Sequence, residues 1–177
     1  MAGKRKNPMA VLPARVSERA RANGSTKSSS AQLDSPPLDQ RKLLGLVGYN
    51  CRRAYLRILG LFRQRMAKFD LRPVDFSVLV LIQANPNVNQ KRLAHALSID
   101  PPNMATLLER LEARALIQRK PNPTDRRARL LVLTRQGAAL CSEAEKVVTR
   151  MEIDATANLT RDERVELMRL AQKVFLQ

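Results

Sequence analysis

The sequence contains no tryptophan, two tyrosines and four phenylalanines, so that aromatic residues make up only 3% of its 177 residues. Proteins that bind single-stranded nucleic acids stack bases on exposed aromatic rings, and this chain has few such rings. Its two cysteines, Cys51 and Cys141, match no metal-ligand spacing, and His95 is its one histidine. These counts argue against a disulfide scaffold and against a metal site.

The chain also lacks a run of about 18 apolar residues that could cross a membrane, and it has no apolar stretch near residue 1 that could serve as a secretory signal. It contains no glycine-rich phosphate loop, no G-x-S-x-G elbow and no acid pair in a plausible cleft. We therefore expect a cytoplasmic protein that is not an enzyme, holds no cofactor and does not insert into a membrane.

Acidic residues are few, with 16 Asp and Glu against 32 Lys and Arg, which gives a net charge of +16. Such an imbalance predicts an anionic partner, either nucleic acid or an anionic membrane surface. Residues 1–38 are basic and contain the low-complexity run 24–30, which predicts a disordered arm that is solvated or adds phosphate contacts. Their composition also resembles a mitochondrial transit peptide, although Pro8 and Pro13 interrupt any helix there. Most of the excess charge lies beyond the arm.

Residues 39–70 have the pattern of one long helix. Apolar side chains recur there at steps of three and four, at Leu43, Leu44, Val47, Cys51, Tyr55, Ile58, Leu59, Phe62, Met66 and Phe69. This apolar face is larger than a small domain needs, so we expect part of it to pack on a second subunit. A helix lying on a membrane surface is the alternative interpretation.

Residues 71–137 contain the pattern of a helix-turn-helix. One helix begins near Pro73 and ends near Asn85, a second is capped by Asn89, and a third is capped by Asp100 with Pro101 in its first position. Two short helices joined by three or four residues can place the second one in the major groove of DNA. The candidate DNA-binding residues of this pair are Asn89, Gln90, Pro102, Asn103, Thr106 and Arg110.

Two strand-like runs, 116–120 and 128–134, follow the helix pair and are separated by a turn-rich basic connection. They predict a β-hairpin with a charged tip. Such a tip can place an arginine in the minor groove beside the recognition helix, and Asp125 can brace it by pairing with a neighbouring arginine. Asp125, Arg126 and Arg127 are therefore candidate DNA-binding residues.

Through the sequence VNQKRLAHALSIDPPNMATLLERLEARALIQRKPNPTDRRARLLVLTRQG, the chain resembles the MarR (multiple antibiotic resistance regulator) family. Its most specific part is Asp125-x-Arg127, followed by a strand and Leu133-Thr134-x-x-Gly137. The resemblance implies a mainly α fold with a small β-hairpin wing (α+β), a winged helix-turn-helix with N- and C-terminal dimerisation helices. It makes Arg127 the minor-groove residue and the helix from Pro101 to about Ala113 the major-groove one.

The resemblance also implies a homodimer that binds double-stranded DNA at a pseudo-palindromic operator. Residues 39–70 and 138–177 would be its dimerisation helices, the latter through Leu159, Val165, Leu167, Met168, Leu170, Val174 and Phe175. Family members bind small aromatic acids in a crevice between the dimer helices and the winged lobe, and this chain resembles regulators of aromatic or nicotinate-type acid catabolism. The candidate ligand-binding residues are Tyr49, Arg52, Arg53, Phe69 and Phe76.

The sequence leaves two alternative functions open. A basic architectural protein could hold nucleic acid by charge alone, without sequence preference. A regulator of the same fold could instead sense oxidation through Cys51, which lies two residues from Tyr49. The position of Cys51 on the apolar stripe favours a buried structural thiol over a sensor.

Overall fold

The computed structural model describes residues 37–123 and 129–176. The chain forms two units, residues 1–39 and 40–177, and every helix and strand reported below lies in the second. The predicted basic arm, residues 1–38, lies outside the described residues except for Pro37 and Leu38, which are exposed.

Seven α-helices and three short strands make up the described part of the chain. The helices are α1 (Arg41–Leu44), α2 (Val47–Met66), α3 (Pro73–Ala84), α4 (Gln90–Ala96), α5 (Pro101–Ala113), α6 (Arg135–Ala155) and α7 (Arg161–Phe175). The strands are β1 (Val88–Asn89), β2 (Ile117–Pro121) and β3 (Arg129–Leu133), in an antiparallel sheet of order β1-β3-β2. This architecture confirms the mainly α fold with a small hairpin; strand β1 was not predicted.

The long helix predicted over residues 39–70 is wrong in one respect, because the structure breaks it between α1 and α2. Gly45, which has a low helix propensity, ends α1, and Leu46 is extended with φ −104° and ψ 124°. The side-chain amide of Asn50 donates to the carbonyls of Leu44 and Leu46, both at 2.8 Å. The bond to Leu44 supplies a donor for a carbonyl at the end of α1, and the Leu46 carbonyl also accepts the Asn50 backbone amide at 3.1 Å. A 3-10 turn, Ala67–Phe69, follows α2.

The hydrophobic core lies where α3, α5 and the sheet meet α6 and the end of α2. Helix α5 buries one side at a spacing of three and four residues, as its sequence predicts. Helix α2 packs along α6 and contributes Phe62 and Met66. The largest side chains with less than 2% exposure are Met66, Val78, Leu79, Ile82, Leu93, Met104, Leu108, Leu111, Leu116, Ile117, Leu131 and Met151.

The connection between α2 and α3 is short and tightly specified. Asp70 adopts the left-handed conformation, with φ 48°, and Arg72 is extended. Pro73 occupies the first turn of α3, where its missing N–H leaves no bond unmade. The carboxylate of Asp75 accepts a hydrogen bond from the Arg72 amide at 3.0 Å, which caps the helix.

Helix α7 has no buried residue. It begins with a capping box, in which the Glu163 carboxylate accepts the Thr160 amide at 2.8 Å and the Thr160 hydroxyl accepts the Glu163 amide at 3.2 Å. The hydrogen bonds from Thr160 lower the pKa of Glu163. The apolar side chains of α7 are exposed, namely those of Val165, Leu167, Met168, Leu170, Val174 and Phe175. In the part of the chain that the structure describes, no helix is long and apolar enough to cross a membrane.

Candidate nucleic-acid interface

Helices α4 and α5 form the predicted helix-turn-helix. The Asn89 side chain accepts the Arg92 amide at 2.9 Å, which confirms Asn89 as the cap of α4. Ser98, with φ 51°, makes the sharp turn between the helices, and the next amide, of Ile99, donates to the Ala94 carbonyl at 2.9 Å. Gln90 joins the two helices, since its amide donates to the Pro101 carbonyl at 3.4 Å.

The outer surface of α5 carries three of the predicted DNA-binding residues, because Pro102, Asn103 and Thr106 are all exposed. The Asn103 amide donates weakly to the Asp100 carboxylate at 3.4 Å, and the Thr106 hydroxyl donates to the Pro102 carbonyl at 3.2 Å. Asp100 therefore does not cap α5 with its side chain, contrary to the sequence prediction. These are short polar groups on a helix face, of the kind that enters a major groove.

Arg110 lies elsewhere. Its guanidinium forms an ion pair with the carboxylate of Asp75, and the Arg110 side chain is only 34% exposed. Asp75, 1% exposed, is the buried charged residue of the described core. The structure thus gives Arg110 a partner on α3. No sequence signal identifies this pair, because its members are 35 residues apart.

Arg114, which the sequence analysis did not single out, is a second arginine that leaves α5 in the direction of α3. Its guanidinium donates to the Phe69 carbonyl at 2.9 Å and to the Asp70 carbonyl at 2.5 Å. It also lies 3.7 Å from the Asp70 carboxylate. Arg114 therefore fastens the end of α5 to the turn between α2 and α3.

The wing consists of β2 and β3, paired from Ile117 with Leu133 to Pro121 with Arg129. Lys120 and Arg129 are exposed, near the end of β2 and at the start of β3. The predicted tip residues Asp125, Arg126 and Arg127 lie outside the described residues. The wing is tied to α5 by Arg119, whose guanidinium lies 3.1 Å from the Glu112 carboxylate.

A groove of about 650 Å³ lies between α2 and the start of α3. Tyr55, Leu59 and Arg63 follow one another at steps of four along α2 and form one wall. The segment from Asp70 to Val74 forms the other wall, and Met66 and Ala67 lie between the two. The groove thus combines apolar walls with two arginines, Arg63 and Arg72.

The five predicted ligand-binding residues do not line this groove. The Tyr49 hydroxyl donates to Gln40 at 2.7 Å, and the Arg53 guanidinium lies 6.0 Å from the centre of the Tyr49 ring. Arg52 is exposed on α2. Lys68 covers the Phe69 ring at 4.8 Å, and Phe76 packs edge-on against Phe62 with ring centres 6.1 Å apart. The groove residues Tyr55 and Arg63 were detectable from their shared helix face, whereas Arg72 was not.

The two cysteines lie in different environments. Cys51 is exposed in the single chain, so the expectation that it is buried is wrong there. Cys141 is fully buried, and desolvation raises the pKa of its thiol to about 11, with a smaller contribution from Glu145. His95 is exposed on α4, and the described residues contain no cluster of three or more potential metal ligands.

Comparison with known proteins places the same segment in a known family. The MarR family model matches residues 71–128. The HTH-type transcriptional repressor NicR of Pseudomonas putida is 32% identical over 150 residues, which cover 85% of this chain and 93% of NicR.

Solved structures give the same result for the fold. The transcriptional repressor CouR bound to a 23-mer DNA duplex is 39% identical and superposes with a TM-score of 0.75, over 78% of this chain and 99% of CouR. CouR bound to p-coumaroyl-CoA gives a TM-score of 0.70 at 38% identity, over 80% of this chain and all of CouR. Bordetella bronchiseptica BpsR, whose DNA binding is regulated by 6-hydroxynicotinic acid, is 28% identical with a TM-score of 0.71, over 81% of this chain and 99% of BpsR.

Proposed function

The chain belongs to the MarR family of DNA-binding transcriptional regulators, and we propose that it is a repressor that binds a pseudo-palindromic operator as a homodimer and is released by an aromatic effector. Helix α5 enters the major groove and the wing contacts the neighbouring minor groove. The observation that carries this proposal is the exposed surface formed by Pro102, Asn103 and Thr106, on a fold that CouR uses to hold a DNA duplex.

The charge of the chain supports DNA as the partner. A net charge of +16 favours contacts with DNA phosphates whatever the DNA sequence. The residues on α5 add the base contacts that give a preference for particular DNA sequences. Lys91 and Arg92, exposed in the first turn of α4, and Lys120 on the wing are further phosphate ligands beside α5. Two such lobes related by a two-fold axis require half-sites about one helical turn apart, roughly 34 Å.

Selection of bound duplexes from a random DNA pool tests this function. The wild type is expected to yield a palindromic motif, and Arg127→Ala is expected to bind the selected operator at least tenfold more weakly, because a minor-groove arginine is lost. Lys146→Ala is the matched control, since it removes one charge from a residue of α6 that pairs with Glu143. It is expected to change operator affinity less than threefold.

The same experiment distinguishes the architectural alternative. A protein that binds by charge alone returns no motif, and Arg127→Ala and Lys146→Ala then weaken binding equally, each by the share of one phosphate contact. That pair of results would overturn the proposed sequence-specific function.

The homodimer is supported by apolar surface that the single chain leaves uncovered. A helix of 15 residues with no buried side chain has no packing energy of its own, yet α7 is one of the longer helices. Its exposed apolar residues are matched by others on α1 and α2, namely Leu43, Leu44, Leu46, Val47, Tyr55 and Leu56. We propose that α1, α2 and α7 pack on their copies in a second chain, in agreement with the role that the sequence assigns to residues 39–70 and 138–177.

The groove between α2 and α3 is the proposed effector site. Tyr55, Leu59 and Met66 offer the apolar wall that an aromatic ring needs, and Arg63 and Arg72 offer cations to its anionic group. That group is a carboxylate in a free aromatic acid such as the 6-hydroxynicotinic acid of BpsR, or the phosphates of a CoA thioester such as the p-coumaroyl-CoA of CouR.

A thermal-shift panel of 6-hydroxynicotinic acid, p-coumaric acid and p-coumaroyl-CoA tests this site. A ligand present at about one hundred times its Kd is expected to raise the Tm by roughly 5–10 °C. Arg63→Gln should reduce this shift, whereas Arg53→Gln should not, because Arg53 lies on α2 in a different groove, beside Arg57 and Leu61. Stabilisation by none of the three compounds, or an equal loss in both variants, would overturn the assignment of this groove.

We further propose that the protein performs no catalysis and acts in the cytoplasm, where its operator is found. Repression released by oxidation of Cys51 is the second candidate mechanism, and the exposure of this thiol in the single chain favours it. Cys51→Ser separates the two mechanisms, because it abolishes release by peroxide and leaves release by an aromatic ligand intact.

A further inference from the structure

Arg110 of α5 and Arg114, which follows directly after this helix, connect it to the segment Phe69–Asp75. Arg110 pairs with the buried carboxylate of Asp75 at the end of the segment. Arg114 donates to the carbonyls of Phe69 and Asp70 at its beginning, at 2.9 and 2.5 Å. Helix α5 therefore holds both ends of one short stretch of backbone.

The same stretch is a wall of the groove described above. Asp70, Leu71, Arg72, Pro73 and Val74 line the groove, and all lie between the two points that α5 holds. The stretch cannot move freely at either end. Asp70 is already in the left-handed region, with φ 48°, and Asp75 uses its second oxygen to accept the Arg72 amide at 3.0 Å.

The chemistry of each contact suits a mechanical link. A carboxylate that is 1% exposed needs a partner for its charge, and a guanidinium supplies a charged hydrogen bond whose direction is fixed. Arg114 binds backbone carbonyls, so its contact follows the path of the main chain and not the identity of a side chain. We expect a displacement of residues 70–74 to move α5 as well.

We propose that Arg110 and Arg114 are positioning residues, which set the orientation of the recognition helix from the wall of the effector groove and contact no base. This inference rests on the proposed function. It assigns to Asp75 the role of anchor and to the Phe69–Asp75 segment the role of the element through which an occupant of the groove changes operator affinity.

The first test compares specificity with affinity, using operators selected from a random duplex pool. Arg110→Ala and Asp75→Asn are each expected to weaken operator binding by about 30-fold while the selected motif stays the same at every position. The double variant should be no weaker than the weaker single variant, because the two residues act as one unit. Asn103→Ala, a change on the outer surface of α5, is the contrast and should lose preference at one base pair of each half-site.

Arg114→Ala keeps the test decisive if Arg110→Ala does not fold, because it removes bonds to a partly exposed turn and leaves the buried Asp75 paired. It is also expected to weaken binding about tenfold with an unchanged motif. Loss of a single base preference in Arg110→Ala or Arg114→Ala would show that the arginine contacts DNA and would overturn the proposal. Unchanged operator affinity in Arg114→Ala would overturn it as well.

The second test fills the groove without an effector. Leu59→Trp enlarges a side chain of the α2 wall and is expected to weaken operator binding at least tenfold in the wild-type background. In the Arg114→Ala background it should add a smaller loss, below threefold, because the contact of α5 with the groove wall at residues 69–70 is already missing. Equal losses in both backgrounds, measured on variants that sediment as dimers, would reject the coupling.

The outcomes separate this inference from the proposed function. A wild-type protein that selects no motif refutes both. A wild-type protein that selects a palindrome, with an Arg110→Ala variant that loses one base preference, leaves the repressor intact and refutes the positioning role alone.

Discussion

Gly137 lies directly against the backbone carbonyl of Leu116, so that a Cβ at position 137 would be 1.8 Å from the carbonyl oxygen. The amide of Gly137 donates to the Thr134 hydroxyl at 2.9 Å, and that hydroxyl donates to the Ala115 carbonyl at 2.6 Å. The Thr134 amide completes the contact by donating to the Leu116 carbonyl at 3.1 Å. The Leu-Thr-x-x-Gly sequence thus fixes the start of α6 on the residues that join α5 to the wing.

Replacing Gly137 by alanine is therefore expected to destabilise the fold by at least about 3 kcal/mol, because backbone must move to admit the methyl group. Gly60→Ala is the control, since a Cβ there meets nothing within 4 Å and helix propensity alone predicts a gain of about 0.5–1 kcal/mol. Urea unfolding followed by circular dichroism measures both. A cost below 1 kcal/mol for Gly137→Ala would contradict the close contact.

Ala115 lies two residues beyond the end of α5 and has a left-handed backbone, φ 54°, which an L-residue with a Cβ adopts at some cost. Its amide donates to the Glu112 carbonyl at 2.8 Å, and the next amide, of Leu116, donates to Leu111 at 3.0 Å. Ala115→Gly is expected to stabilise the protein by about 1 kcal/mol. Ala113→Gly, two residues earlier in the same helix, should destabilise it by up to about 1 kcal/mol. Thermal unfolding measures the change in stability of each variant. If both variants are stabilised or both are destabilised, the left-handed backbone of residue 115 does not explain the effect.

Two aspartates that pair with arginines differ in burial, and we expect their replacement by alanine to lower the free energy of unfolding by different amounts. Asp154 lies 3.1 Å from Arg65, with both side chains 45% exposed, and Asp154→Ala should cost less than about 1 kcal/mol. Asp75 is 1% exposed, and Asp75→Ala should cost about 3–5 kcal/mol because Arg110 loses its partner and the Arg72 amide loses its acceptor. Urea unfolding measures the free energy of unfolding of both variants. Equal losses for Asp75→Ala and Asp154→Ala would contradict the role given to burial.

The two thiols are expected to react at very different rates. Because burial raises the pKa of Cys141 to about 11, the thiolate that attacks an alkylating agent is almost absent from this site near neutral pH. In a monomeric variant such as Met168→Asp, iodoacetamide at pH 8 should therefore modify Cys51, which is exposed in the single chain, and leave Cys141 free until the protein is unfolded. Mass spectrometry of tryptic peptides identifies the modified residue, and early labelling of Cys141 would contradict its burial.

The raised pKa of Cys141 makes the stability of the folded protein depend on pH. Between about pH 9 and pH 11, the unfolded chain loses the Cys141 proton while the folded chain keeps it, so stability falls as the pH rises. The loss approaches about 2–3 kcal/mol at pH 11. Cys141→Ala should flatten this part of the stability profile, and an unchanged profile would mean that another group titrates there.

A charge placed on α7 tests the dimer. Met168 is 51% exposed in the single chain, on a helix without buried residues, and Met168→Asp should convert the protein to a monomer and weaken operator binding by at least 100-fold. Arg169→Asp changes the neighbouring position, whose guanidinium pairs with Glu166 at 2.6 Å, and should leave a dimer. Analytical ultracentrifugation distinguishes the two species, and a dimeric Met168→Asp variant would place the interface elsewhere.

Much of the winged lobe was predictable because its signals are local. Asn89 at the start of α4 and Pro101 at the start of α5 act on backbone groups a few residues away, and the structure has both helices as predicted. The buried positions of α5 follow from helix geometry alone. Strand β1 was missed because two residues carry no periodicity, and its pairing of Val88 with Leu131 joins residues far apart in sequence.

The class of fold, the helix-turn-helix with Asn103 and Thr106 on its outer side, and the family could all be predicted from the sequence, because they depend on spacing, capping and charge within short windows. The positions at which long side chains end depend instead on tertiary contacts. Arg110 has the helical position of a base-contacting residue, yet the buried carboxylate of Asp75, 35 residues away, offers its guanidinium a stronger partner than solvent does. For the same reason, Arg63 and Arg72 both line the groove, and Arg114 reaches Asp70. An arginine side chain spans several ångströms. The packing of the helices, and not the neighbouring residues in the chain, determines which carboxylate, carbonyl or groove lies within its reach.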